Sequence, residues 1–268
     1  MALKDITLGQ YFPGDTIVHR LDPRAKLLLV ILYIAALFTA QFLVSYGILL
    51  LVLALCILLS KVKFSVILKG MKPVLMIIVI TAVLNLFYTP GRKLATFWIF
   101  TVTVEGIWAA CFMMLRITML ITCTFLLTYT TSPILLTDGL EKLLNPLKKI
   151  RVPVHELSMM MSIALRFIPT LIEETDKIMS AQRARGADFD TGNLLQKARA
   201  LIPLLVPLFI SAFRRADELA IAMECRCYHG GEGRTRLRQL KYRASDVTAL
   251  SFGVLLCAGI GVLAHFGL

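Results

Sequence analysis

The chain has 268 residues, 57% hydrophobic and 17% charged, with a mean hydropathy of +0.76 and a formal charge of +12. A water-soluble domain is typically about 45–50% apolar and about 25% charged, so that class is excluded and a polytopic membrane protein is expected. A basic excess suits nucleic acid, anionic lipid or an acidic protein partner; on a membrane chain, lipid and protein remain and no nucleic acid is expected.

A polar, Pro-containing lead precedes the first apolar block, which therefore reads as a retained span rather than a cleavable signal. Apolar runs occupy roughly 27–44, 46–59, 73–90, 104–130 and 246–266. A crossing needs about 20 apolar residues for ~30 Å, and the second and third runs are short for that. Lysines and arginines alternate by segment: four in the lead (Lys4, Arg20, Arg24, Lys26), none in the turn near 41–46, and four in the expected 60–72 loop (Lys61, Lys63, Lys69, Lys72). Arg92 and Lys93 follow in the 90–97 loop, Arg116 lies inside the fourth run, and eighteen more fall within 130–245. That alternation predicts a cytoplasmic N-terminus, with residues 130–245 also cytoplasmic and Leu268 outside.

Within the lead, Asp22 before Pro23 predicts the cap of the first helix, and Arg24 and Lys26 mark its cytoplasmic boundary. Cys56, Cys111, Cys123 and Cys257 lie in apolar stretches as small packing residues. Cys225 and Cys227 fall in the charged cytoplasmic segment, where a disulfide is not expected. Arg116 is an intramembrane charge and hence a candidate for function, but a lone arginine makes a poor ion-coupled pathway, so packing between helices is the expected role.

Residues 130–245 predict three amphipathic helices: "SPILLTDGLEKLLNPLKKIRVP", a long one from "VHELSMMMSIALRF" to "AQRARG" with a bend at Pro169, and one from "NLLQKARALI" to "ECRCY". The third is expected to bend or break at Pro203 and Pro207. These segments are too charged to span and too apolar for water, so they are expected at the membrane interface. The architecture is then all-α and polytopic, with about five transmembrane helices and about three cytoplasmic amphipathic helices. Residues 1–129 form a four-span membrane region, 130–245 the cytoplasmic helices, and 246–268 a final transmembrane helix.

The second and third amphipathic helices echo each other. Asp176, Ala181 and Arg185 match Asp217, Ala222 and Arg226 at a constant offset of 41. One such end is an ordinary helix stop, since cations suit the C-terminal dipole and glycine the C′ position. Two arginine-tipped ends on one side of the membrane suggest docking, for which the planar guanidinium is suited. At the second tip the glycine is replaced by Cys227, so that end is expected to lose its easy left-handed residue. "SMMMS" at 158–162, with Met159, Met160 and Met161, fits either ordinary helix packing or an adaptable docking surface.

No chain-borne energy source is visible. "GGEGRT" at 230–235 lacks the lysine and spacing of a phosphate loop. Cys225, Cys227 and His229 are one ligand short of a usual structural zinc set, and no metal is expected. No nucleophile, acid or base cluster stands out, so no catalytic residue and no cofactor of its own are assigned.

Three motifs in order carry a family resemblance along nearly the whole chain. "GQYFPGDTIVHRLDPRAKL" (9–27) resembles the opening of the transmembrane T component of energy-coupling factor transporters, the EcfT/CbiQ-like group of ABC-type vitamin and metal-ion importers. "ALRFIPTLIEETDKIMSAQRARGADF" (164–189) and "FRRADELAIAMECRCY" (213–228) look like its two coupling helices. The resemblance implies a non-catalytic scaffold in a prokaryotic plasma membrane, joining two cytoplasmic ABC ATPases, which bind the ATP, to a small substrate-binding S component. By the same resemblance Ala184-Arg185-Gly186 and Cys225-Arg226-Cys227 dock one in each ATPase, and Met159–Met161 belong to the S-component or coupling surface. The shared vitamin type is favoured over a dedicated cobalt or nickel type. A membrane-embedded enzyme lacks a catalytic cluster, and a secondary carrier is at odds with the charge-poor spans.

Overall fold

A computed structural model describes residues 11–97, 100–189, 193–230 and 240–266. The chain is all-α in class and polytopic: α1 Ile17–Arg20, α2 Pro23–Thr39, α3 Leu43–Ser60, α4 Phe64–Tyr88, α5 Val104–Thr130, α6 Pro133–Leu144, α7 Val154–Ala184, α8 Leu194–Glu224 and α9 Ala244–Phe266. A 3-10 turn, Asn145–Ile150, follows α6, and an antiparallel hairpin, β1 Lys93–Phe97 with β2 Phe100–Thr103, joins α4 to α5. The hairpin was not anticipated from the periodicity. Of "GGEGRT", only Gly230 is among the described residues.

α3, α4, α5 and α9 are long and apolar enough to cross a membrane. α2 has 17 residues, roughly 26 Å of helix at 1.5 Å per residue, a little under the ~30 Å hydrocarbon core. The third apolar run proves longer than expected. α4 begins at Phe64, so Lys69 and Lys72 lie on its exposed surface rather than in a loop, and Pro73 is inside the helix. Their aliphatic stems can follow the helix while the ammonium groups reach the interface. Likewise α8 runs unbroken through Pro203 and Pro207, and α7 through Pro169.

The chain divides into two compact units. One comprises Gly9–Gly139 with Leu240–Leu268, and the other contains Leu140–Gln239, the division falling inside α6. In the first unit α4 packs chiefly on α5 and α2 on α9. Its core gathers Tyr33, Ala36, Leu37, Tyr46, Leu49, Leu53, Met119, Cys123 and Ile260. In lipid such packing gains little from the hydrophobic effect, so close contact and internal hydrogen bonds must hold the helices. Gly106 on α5 supplies one close approach, since a Cβ there would stand 2.8 Å from the Leu86 carbonyl of α4. Tyr33 donates its hydroxyl to the Leu49 carbonyl at 3.1 Å. Arg116 Nε donates to the Tyr46 hydroxyl at 2.9 Å, and its Nη2 to the carbonyl of Ala40, the C-cap of α2, at 3.2 Å. A cation on a helix C-terminal carbonyl is favourable; Arg116 ties α5 to the α2–α3 turn, in agreement with the packing role expected.

The motif around Asp22 is a bolt between distant segments. Asp22 caps α2 by accepting from the Arg24 amide at 2.9 Å, and Pro23 takes the first turn, where no amide is needed. Arg24 pairs with Asp22 at 3.0 Å, donates to the Leu240 carbonyl at 2.9 Å and lies 4.2 Å from the Tyr242 ring centre. Lys26 is buried, and its ammonium donates to the carbonyls of His19 and Thr130 and to the Thr131 hydroxyl. Asp246, on α9 and fully buried, accepts from the Asp22 amide at 2.9 Å and the Arg243 amide at 2.7 Å. The capping role read from "LDPRAK" is therefore present; its acidic partner 224 residues away was not legible in sequence.

In the second unit α7 packs on α8. Ser211 and Arg215 on α8 both donate to the Glu174 carboxylate on α7, at 2.6 and 3.1 Å, while Gln182 donates to the Pro203 carbonyl at 3.4 Å. As numbers rise on α7 their partners' numbers fall on α8, so the two helices run antiparallel.

Candidate functional site

The two arginine tips close in the same way. At the end of α7 the Arg185 amide donates to Gln182, Gly186 to Arg183 at 3.0 Å, and Ala187 to Gln182 at 3.0 Å. At the end of α8 the Arg226 amide donates to Met223, Cys227 to Glu224 at 2.8 Å, and Tyr228 to Met223 at 3.0 Å. Every donor and acceptor in the second set is the first shifted by 41 residues. The pattern is the Schellman closure, which needs one left-handed residue after the last turn. Gly186 takes it at φ 87° and Cys227 at φ 55°. The second tip thus keeps the left-handed geometry that the loss of glycine put in question. Cysteine enters the conformation that glycine would take, at the cost of strain between its Cβ and the backbone.

Arg185, Gly186, Cys225, Arg226 and Cys227 are all exposed, as is Ala184. Neither the Arg185 nor the Arg226 guanidinium bonds to another described residue, whereas Arg183 stands 6.0 Å from the Phe189 ring centre. Each tip thus presents a fork of donors beyond a helix C-terminus, unspent among the described residues. Because α7 and α8 are antiparallel, the tips lie at opposite ends of the pair, roughly 30–40 Å apart at 1.5 Å per residue along each helix. Residue spacing alone could not show that separation.

Met160 and Met161 are exposed and Met159 half-buried, in the N-terminal half of α7, twenty-odd residues before Arg185. They belong to a different part of the unit from the tip on their own helix. Sequence reasoning missed Glu174, whose bonds to Ser211 and Arg215 set how α7 and α8 meet. Its position 41 residues before Arg215 repeats the offset of the echo, and that was the available signal. Among the described residues no three His, Cys, Asp or Glu side chains converge on a metal-sized site. His229 Nδ1 is within hydrogen-bond distance, 2.9 Å, of the Cys227 carbonyl.

A family model described as CbiQ, cobalt transport protein, matches residues 14–237. Relatives named energy-coupling factor transporter transmembrane protein EcfT include that of Clostridium kluyveri, 57% identical over 96% of this chain and 97% of its own length. Those of Thermosediminibacter oceani and Bacillus subtilis are 52% and 48% identical, each over 96% of this chain and 97% of its own. With its apolar helices, its capped "LDPRAK" lead and its paired arginine tips, the chain belongs to this family of energy-coupling factor transporter transmembrane proteins.

Proposed function

We propose that the chain is the transmembrane scaffold of a prokaryotic importer, with Arg185 and Arg226 each seated in a groove of a separate cytoplasmic ABC ATPase. The observation that carries this reading is the identity of the two Schellman-closed ends. Two equal plugs facing opposite ways suit two equivalent sockets, and tips roughly 30–40 Å apart cannot share one groove. Guanidinium groups beyond helix ends suit carboxylates or carbonyls lining such sockets. The N-terminus, α7 and α8 lie on the cytoplasmic side in this reading, in keeping with the segregation of lysine and arginine.

The mechanism follows from leverage. ATP binding draws the two ATPases together and brings force to both tips. α7 and α8, joined through Glu174, Ser211 and Arg215, convert that force into a change in their crossing. The exposed Met160 and Met161 give a pliable face for a separate substrate-binding membrane subunit, whose reorientation releases a vitamin or similar micronutrient inside. ATP is bound by the partner ATPases, and this chain contributes no catalytic group. A dedicated cobalt or nickel importer is the second reading, favoured by the description of the matching family model.

Charge reversal tests the docking. In co-expression with the ATPase pair, Arg185→Glu and Arg226→Glu should each weaken co-purification, and the double variant should lose both co-purification and uptake. Undiminished ATPase association in the double variant would overturn the proposal.

A further inference from the structure

The first unit contains a half-open cavity of about 430 Å³ lined by α1, α2, α3, α5 and α9. Its lining is almost wholly apolar, including Leu29, Val52, Cys123, Ala249 and Phe252, with Lys26 and Thr130 at one end. Ordered water needs two to four polar partners, which these walls do not offer. The depth is also informative. From Lys26 to Tyr33 on α2, and from Ser245 to Leu256 on α9, the lining covers roughly 10–17 Å of helix axis. That is close to half of the ~30 Å hydrocarbon core, the reach of one acyl chain in one leaflet.

The polar end is basic. Arg20 sits between the lining residues Val18 and Leu21, Lys61 lies two residues beyond the lining Leu59, and Arg243 two before the lining Ser245. All three are exposed, and none forms an ion pair with another described residue. Lys26 adds a buried cation at the cavity end, with its three protons committed to His19, Thr130 and Thr131. Unpaired cations at the interface attract anionic headgroups.

We infer that this cavity is a binding site for one anionic phospholipid, its acyl chain between α2, α3, α5 and α9 and its phosphate among Arg20, Lys61 and Arg243. A zwitterionic lipid would fit the apolar part equally well but would gain less from the cations, so headgroup charge is the discriminating property. This occupancy is independent of what the arginine tips engage.

The test is native mass spectrometry of the full chain with its co-purified partners, released from nanodiscs of equal phosphatidylglycerol and phosphatidylcholine with matched chains. Wild type should retain one lipid through activation, phosphatidylglycerol in at least fivefold excess. Ala249→Phe and Val52→Phe, which partly fill the cavity from two different helices, should each lose the retained lipid while keeping the wild-type melting temperature within a few degrees. Arg20→Gln with Arg243→Gln should keep a lipid but bring the two headgroups near parity. Equal retention of both lipids by wild type, retention unchanged in both folded filled variants, or a bound species of non-lipid mass would each overturn the inference.

Discussion

Gly186→Ala probes the paired helix ends. Nothing lies within 4 Å of where a Cβ would stand at Gly186, so the substitution introduces no clash. What remains is the backbone: an L-residue at φ 87° carries a left-handed penalty of about 1–2 kcal/mol. Replacing glycine also reduces unfolded-state freedom, which returns about 0.4–1 kcal/mol. The net cost is then about 0–1.6 kcal/mol, centred near about 0.8, or about fourfold and at most about 14-fold more opening of that end at 1.4 kcal/mol per tenfold. Cys227→Ala exchanges one L-residue for another at the same φ and should leave its own tip unchanged, whereas Cys227→Gly should leave it equal or tighter. Hydrogen exchange followed by mass spectrometry on peptides covering 183–188 and 224–229 reads these effects, because the Ala187 and Tyr228 amides close the two motifs. If Cys227→Ala opened its tip as much as Gly186→Ala opens the other, left-handed strain would not distinguish the two ends, and the reasoning would fail.

Asp246→Ala leaves the buried Asp22 amide and the partly buried Arg243 amide without their acceptor and should cost about 1–3 kcal/mol, seen as a lower melting temperature that Asp246→Asn partly restores. Lys26→Met deprives the His19 and Thr130 carbonyls and the Thr131 hydroxyl of a shared donor; a loss of similar size should appear in the same assay, because buried acceptors are left unmet. Gly106→Ala sets a Cβ 2.8 Å from the Leu86 carbonyl and should cost about 1–3 kcal/mol through forced separation of α4 and α5, measured as detergent-resistant fraction on heating. His19 is held below its ordinary value of 6.5, chiefly by desolvation, with Lys26 adding to the effect against the Phe12 carbonyl and Asp15. The unfolded chain therefore binds more protons in that window, so stability should fall as pH drops through and below about 6.5; a pH series of melting temperatures should flatten in His19→Gln.

Much of the membrane architecture was legible because lipid imposes a length and polarity that a linear sequence must display. α5 matches its apolar run residue for residue, and α3 and α9 differ from theirs by a few positions at their ends. The start of α4 was missed because Lys69 and Lys72 read as a loop, although long side chains can keep their charge at the interface from within a helix. The hairpin after α4 escaped because two strands of five and four residues leave little alternation to detect.

The candidate site divides along the same line. By itself the sequence determined that two helices end in arginine at an offset of 41 and that both lie in a charged, non-spanning segment, because capping and charge segregation are local properties. It also determined that Asp22 caps α2, since a cap depends on the next two residues. Only the structure shows that Cys227 adopts the left-handed pose of Gly186, where local bonds from Cys227 and Tyr228, reaching three and five residues back, outweigh a residue preference. It alone set the tips at opposite ends of the α7–α8 pair and brought Asp246 onto Asp22. Those relations depend on contacts between residues distant in sequence, which burial and polar satisfaction select only once the chain is packed.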